Sequence, residues 1–153
     1  MKVLLINGGP HREGCTHRAL TEVAGALHES GIETEIFHLG NQPVRSCTGC
    51  GSCMRQELGR CGFDDDVANR VLEKAREADG LVIGSPVHYA SAAGGITAVM
   101  DRVFYAGSRF LAHKPGAAVV SCRRAGSTAA LDQLNKYFTI AQMPVVSSVY
   151  WNM

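Results

Sequence analysis

The densest chemistry in this chain is its cysteine run. Cys47, Cys50, Cys53 and Cys61 lie within one short segment, while Cys15 and Cys122 stand apart. C-x2-C-x2-C followed by a more distant cysteine is ligand spacing for an iron–sulfur cluster. Gly49 and Gly51 sit between the thiols, and glycine permits the tight turns that wrapping a cubane needs. Zinc competes for the same thiolates, but its usual grouping is two separated C-x2-C pairs. A metal-free loop, or a redox-sensitive dithiol, is the third reading. The crowding does not match the spread framework of a small secreted disulfide protein.

A second chemical stretch is Asn7-Gly8-Gly9-Pro10-His11-Arg12-Glu13-Gly14-Cys15-Thr16. It follows the apolar run Lys2–Ile6 and precedes a segment of helical periodicity. A strand, a glycine-rich turn and a helix N-terminus together make an anion site. It lacks the G-x-G-x-x-G of a dinucleotide fold. Gly9 and Gly14 have P-loop spacing, but Cys15 stands where the phosphate-binding lysine belongs. One terminal phosphate remains. Backbone N–H groups of Gly9 to Thr16 would bind it, with help from the Thr16 hydroxyl and charge from His11 or Arg12. Pro10 lies within the loop, and Cys15 reads as a simple ligand contact rather than a reactive thiol. An ordinary strand–helix turn is the competing account.

A third stretch, Gly84 to Gly94, leaves another strand at the same sheet end. It is long for a βα connection, and long loops in compact folds usually carry function. Pro86, Val87, His88, Tyr89, Ala90 and Ser91 offer a rigid proline, two rings and small residues. Such a surface lies along a flat ring. A monophosphate cradle and a flat-ring loop on adjacent strands together describe FMN.

The elements that position these stretches alternate. Apolar runs predict strands at residues 2–7, 33–39, 81–84, 117–121 and 145–150. Apolar stripes predict helices from Thr16 to about Ser30, from Asp64 to about Ala78, from Ile96 to about Tyr105 and from Ser127 to about Ala141. Residues 40–63 are irregular. Alternating strands and helices imply right-handed crossovers and a mostly parallel sheet. The expected fold is α/β: a flavodoxin-like, doubly wound, five-stranded sheet of order 2-1-3-4-5. Its ligand belongs at the switch point between strands one and three. The whole chain reads as one domain with a cysteine-rich insertion at about 43–63. The helix that should cover strand five is missing; truncation is the preferred explanation over cover by a neighbouring subunit.

Basic and acidic residues nearly cancel, 15 against 14, which argues against a nucleic-acid surface. No run approaches a membrane span and no signal-peptide region is evident, so a soluble cytoplasmic protein is expected. His17, His28, His38 and His113 read as solvent-exposed or structural. Arg123 and Arg124 follow the fourth predicted strand at the ligand end, where a solvated loop is the plainer role. Phe104, Tyr105 and Phe110 mark either a dimer surface or core.

The residue 7–16 loop resembles the N-G-S-P-R-x-x-G-N-T loop of flavodoxin-like NAD(P)H-dependent FMN reductases. Ser85-Pro86-Val87-His88-Tyr89 resembles their isoalloxazine loop, and Met100-Asp101-Arg102 their acidic–basic pair. The cysteine run with Asp64-Asp65 is similar to the iron–sulfur flavoprotein branch. Gly9, His11, Cys15 and Ala90 depart from that pattern, standing for serine, arginine, asparagine and glycine. The resemblance implies FMN, NAD(P)H as co-substrate, and possession of a [4Fe-4S] cluster on the four cysteines. It implies a quinone, flavin or iron–sulfur acceptor, and a homodimer or tetramer that completes the flavin pocket. A non-enzymatic electron carrier serving a protein partner is the alternative. The flavin would perform the chemistry, so no protein general acid or base is named.

Overall fold

A computed structural model describes residues 1–149. The elements, in chain order, are β1 (Lys2–Asn7), α1 (Cys15–Glu29), β2 (Glu33–His38), α2 (Ser52–Arg55) and α3 (Ala68–Glu77). Then follow β3 (Gly80–His88), β4 (Ser91–Ala92), α4 (Gly94–Leu111), β5 (Gly116–Ser121) and α5 (Ser127–Ile140).

The parallel strands run β2-β1-β3-β5. This matches the expected doubly wound order. The predicted fifth strand is represented by one parallel bridge, Gly116 to Val145. The Gly116 N–H donates to Pro144 O at 2.9 Å and the Val146 N–H to Gly116 O at 2.8 Å. Tyr150, the last residue of that predicted strand, lies outside the described residues.

Side chains on a strand alternate between faces, and β1 shows the result. Leu4 and Ile6 join a core with Val71, Val99, Leu134 and Phe138 from α3, α4 and α5. Val3 and Leu5 join a second core with Leu20 and Ala24 of α1. Both faces of the central strands are therefore apolar, which is why β1 and β3 read as continuous hydrophobic runs. Toward the edge, Ala117 and Val119 on the α1 face are only half-buried.

Three sequence expectations need correction. The third helix opens at Ala68, not at Asp64. Asp66 is not part of it: one carboxylate oxygen accepts the Ala68 N–H at 3.0 Å, and the other pairs with Arg102. The third strand does not end at Ser85-Pro86 but continues to His88, because it folds back on β4 as a hairpin. The helix expected at 96–105 runs through Leu111. Phe104 packs edge-on against Phe138 and belongs to the core, whereas Tyr105 is half exposed.

Candidate cofactor site

The carboxyl ends of β1 and β3 carry two loops that are fastened together. Asn7 pairs with Gly84 in the strand register, and the next amide, Gly8 N–H, donates to Gly84 O at 2.9 Å. A Cβ at Gly8 would sit 2.7 Å from the Ile96 Cβ, so only glycine lets the first loop pass under α4.

Asn7 shapes that first loop. Its Oδ1 accepts the Gly9 N–H at 2.9 Å and its Nδ2 donates to Arg12 O at 3.3 Å. His38 fixes the far side, its Nε2 donating to Gly9 O at 2.9 Å. The chain then enters α1 at Gly14, which offers no side chain to cap the helix. The first intrahelical bond comes from the Arg18 N–H to Gly14 O. The amides ahead of it in the first turn have no intrahelical acceptor and the dipole adds positive potential there. Pro10, His11, Arg12 and Cys15 are exposed, while Gly9 and Thr16 are buried. The Thr16 hydroxyl lies 2.9 Å from the Ser121 hydroxyl at the end of β5.

The second loop is a hairpin. Val87 pairs with Ala92 and His88 with Ser91, leaving Tyr89 and Ala90 as its two turn residues. Both are left-handed, with φ of 52° and 59°. Two-residue hairpins favour this geometry because it matches strand twist, but they normally use Asn-Gly for it. Tyr89 and Ala90 therefore hold strain, and strained turns persist only where their surroundings fix them. Ser85 is one fixing point: fully buried, its Oγ accepts the Ala93 N–H at 3.0 Å and donates to Pro86 O at 2.8 Å. Pro86, Val87 and Ser91 are half-buried; His88, Tyr89 and Ala90 face solvent.

The cysteines form a separate feature. Cys47, Cys50, Cys53 and Cys61 line one pocket with Phe63, Arg102, Tyr105 and Ala106. Among the described residues, no three His, Cys, Asp or Glu side chains gather tightly enough for a single metal ion. Gly49 and Gly51 both have positive φ, 67° and 69°, as the tight-turn argument requires. A hydrogen bond from Ser52 lowers the Cys50 thiol below its usual range, whereas burial, then the neighbouring Cys61, raises Cys53. Arg102 closes the back of the pocket with its side chain fully buried. It donates to Cys61 Sγ at 3.2 Å, to Arg45 O at 3.2 Å and to Phe63 O at 2.8 Å, and is paired with Asp66. Asn69 pins the same segment, accepting the Cys61 N–H at 2.9 Å and donating to Cys61 O and Phe63 O.

Compared with known proteins, residues 1–153 match the family described as NADPH-dependent FMN reductase. The chain belongs to that family. An iron–sulfur flavoprotein of Methanocaldococcus jannaschii is 37% identical over 149 residues, covering 95% of this chain and 76% of that protein. An iron–sulfur flavoprotein of Archaeoglobus fulgidus is 37% identical over 102 residues, which is 67% of this chain and 48% of that protein. Among solved structures, a flavone reductase superposes with a TM-score of 0.76 at 20% identity, over 95% of this chain and 52% of that one. An NAD(P)H:quinone oxidoreductase from Methanothermobacter marburgensis gives 0.72 at 17% identity, over 96% and 84%. These structures share the flavodoxin-like fold.

The chain is thus an FMN-reductase-type oxidoreductase by family. The two loops that its sequence singles out meet at the switch point of the sheet, and the four clustered cysteines share one wall. The residues that hold these loops rather than line them are Asn7, His38, Ser85, Ser121, Asn69 and Gln133, whose Oε1 accepts from Ser91 and Ala92; the sequence reads His38 as exposed or structural and gives the others no such role. Asn7 was legible as a polar residue ending a buried strand. Gln133, an ordinary polar residue on a helix, carried no signal.

Proposed function

We propose that the chain passes electrons from NAD(P)H through bound FMN to a quinone, flavin or iron–sulfur acceptor. The supporting observation is the bond from Gly8 to Gly84. It fastens an uncapped helix N-terminus beside a strained hairpin, a phosphate's length of polar backbone next to a ledge for a ring. When bound, FMN supplies the hydride-accepting chemistry. Backbone amides of residues 11–13, 15 and 16 would hold its phosphate, since Pro10 has no N–H and the Gly9 and Gly14 amides already donate to Asn7 and His11, with Thr16 and the charge of Arg12 or His11 beside them. Cys15 would touch it. Pro86 to Ser91 would lie along the ring and set which edge is open.

The thiol set fits a [4Fe-4S] cluster in chemistry: four thiols on one wall, glycines at the turns, and a buried cation behind Cys61. A cubane holds its thiolates farther apart than one ion does, so the lack of a tight three-ligand group is consistent with it. This pocket favours a second reading, an electron carrier that serves a protein partner. We further propose one cytoplasmic domain acting as a homodimer or tetramer.

Anaerobic purification followed by a visible spectrum, iron and sulfide analysis and NADPH addition tests this. The expected result is a yellow-brown protein whose flavin band bleaches with NADH or NADPH and returns on adding quinone. A flavin that neither nicotinamide bleaches would leave only the carrier. A colourless protein that ignores added FMN would overturn both readings.

A further inference from the structure

The hairpin's turn is strained, and Ser85 holds only its entry and exit. Its return strand is held by a residue far away in the chain. Gln133, on the second turn of α5, accepts two bonds on one atom. Its Oε1 takes the Ser91 hydroxyl at 2.7 Å and the Ala92 N–H at 2.9 Å. An amide N–H can only donate, so the carbonyl oxygen must be the end that faces the hairpin. The start of the same helix presses on the turn itself. Gly126 precedes α5 with φ of 89°, and a Cβ there would fall 2.6 Å from the Ala90 Cα and 3.3 Å from Val87 Cγ1. The backbone of Gly126 thus backs the left-handed Ala90 while Gln133 grips the next two residues. Neither element contains a residue assigned above to cofactor contact.

We propose that Gln133 is a positioning residue for the ring-binding hairpin. It holds Ser91 and Ala92 so that Tyr89 and Ala90 stay left-handed, and so presets the ledge that FMN would use. The inference rests on the FMN reading above for its ligand, but not for its geometry. A hairpin released from Gln133 populates other turn conformations, and affinity falls by the fraction that remains competent.

The chemistry of the two bonds chooses the variants. Gln133→Glu keeps an oxygen acceptor for both donors. Gln133→Met keeps length and helix propensity but accepts neither bond. Gln133→Asn keeps the amide but falls one methylene short, and it carries the same test should the methionine variant not fold. Two measurements are made on each protein: hydrogen exchange of the Ala92 amide without flavin, and FMN affinity by flavin fluorescence.

The expected result is that Met and Asn each speed Ala92 exchange and weaken FMN binding about tenfold, two modest hydrogen bonds being removed. Glu should restore both. Amides of β1 should stay protected throughout, which separates loss of the brace from loss of the fold. Unchanged Ala92 exchange and unchanged affinity in the Met and Asn variants would overturn the proposal, as would failure of Glu to rescue. If the unmodified chain ignores FMN, the functional reading fails with it. That outcome is told apart because Ala92 exchange is read with no flavin present.

Discussion

At the scale of single residues, charge placement decides most. Arg102 is a buried guanidinium whose counter-charge is Asp66, at 4% side-chain exposure. Removing one member of a buried pair strands the other in low dielectric, which typically costs about 3–5 kcal/mol. Arg102→Met should lower the unfolding free energy from urea titration by that amount, and on the cluster reading iron content should fall with it because Cys61 loses its anchor. An unfolding free energy within about 1 kcal/mol of the parent would show that Asp66 finds water instead. Glu35 behaves oppositely at the surface. Lys2 at 2.8 Å, then Lys74, hold its carboxyl below the ordinary 4.5. The folded state then binds fewer protons than the unfolded chain in acid. Stability from this group is present above pH 4.5 and is lost as pH falls through its depressed value. Gln at position 35 should flatten the acid limb of a thermal-melting series, and an unaltered limb would exclude the pairing. None of this partnering is legible in sequence: Arg102 and Asp66 lie 36 positions apart, and helical periodicity alone cannot tell a buried cation from a solvated one.

At the scale of elements, the glycines at the strand ends set how closely things approach. A methyl at Gly8 meets the Ile96 Cβ at 2.7 Å and Gly84 O at 3.0 Å, and neither atom can swing aside. Gly8→Ala should therefore destabilise by about 1–3 kcal/mol, the usual cost of overpacking, and weaken FMN binding by parting the two loops. Equal affinity for FMN in a destabilised variant would separate the loops' fastening from their use. The strands and long helices were legible because their apolar residues repeat at the spacing that packing demands. The hairpin was not. Tyr89-Ala90 lacks the Asn-Gly signal that announces such a turn, so the stretch reads as a long loop. The acidic run at Asp64 to Asp66 misleads in the other direction. It looks like a helix start, but Asp66 is drawn away to Arg102 and the helix waits until Ala68.

At the scale of the whole molecule, the sheet is covered unevenly. α3, α4 and α5 pack on one face and α1 on the other, and the edge strand β5 is only half-buried on both, at Ala118 and Val120 as at Ala117 and Val119. The homodimer or tetramer proposed above would cover part of that edge. Light scattering should return two or four times the monomer mass, and Val119→Lys should reduce it; a monomer in both would exclude that face. The doubly wound plan was legible from strand–helix alternation because crossovers admit little else.

The two pins on the cysteine segment have a consequence of another kind. Asn69 grips it from α3 and Arg102 from α4, and both belong to the scaffold, not to the segment. The thiols therefore travel as a cassette whose sockets stay behind in the parent fold. On the cluster reading proposed above, a plain flavodoxin-like reductase given an asparagine and an arginine at those two helix positions should accept residues 43–66 as a graft and acquire iron, while the same graft without the sockets should be cut by protease first.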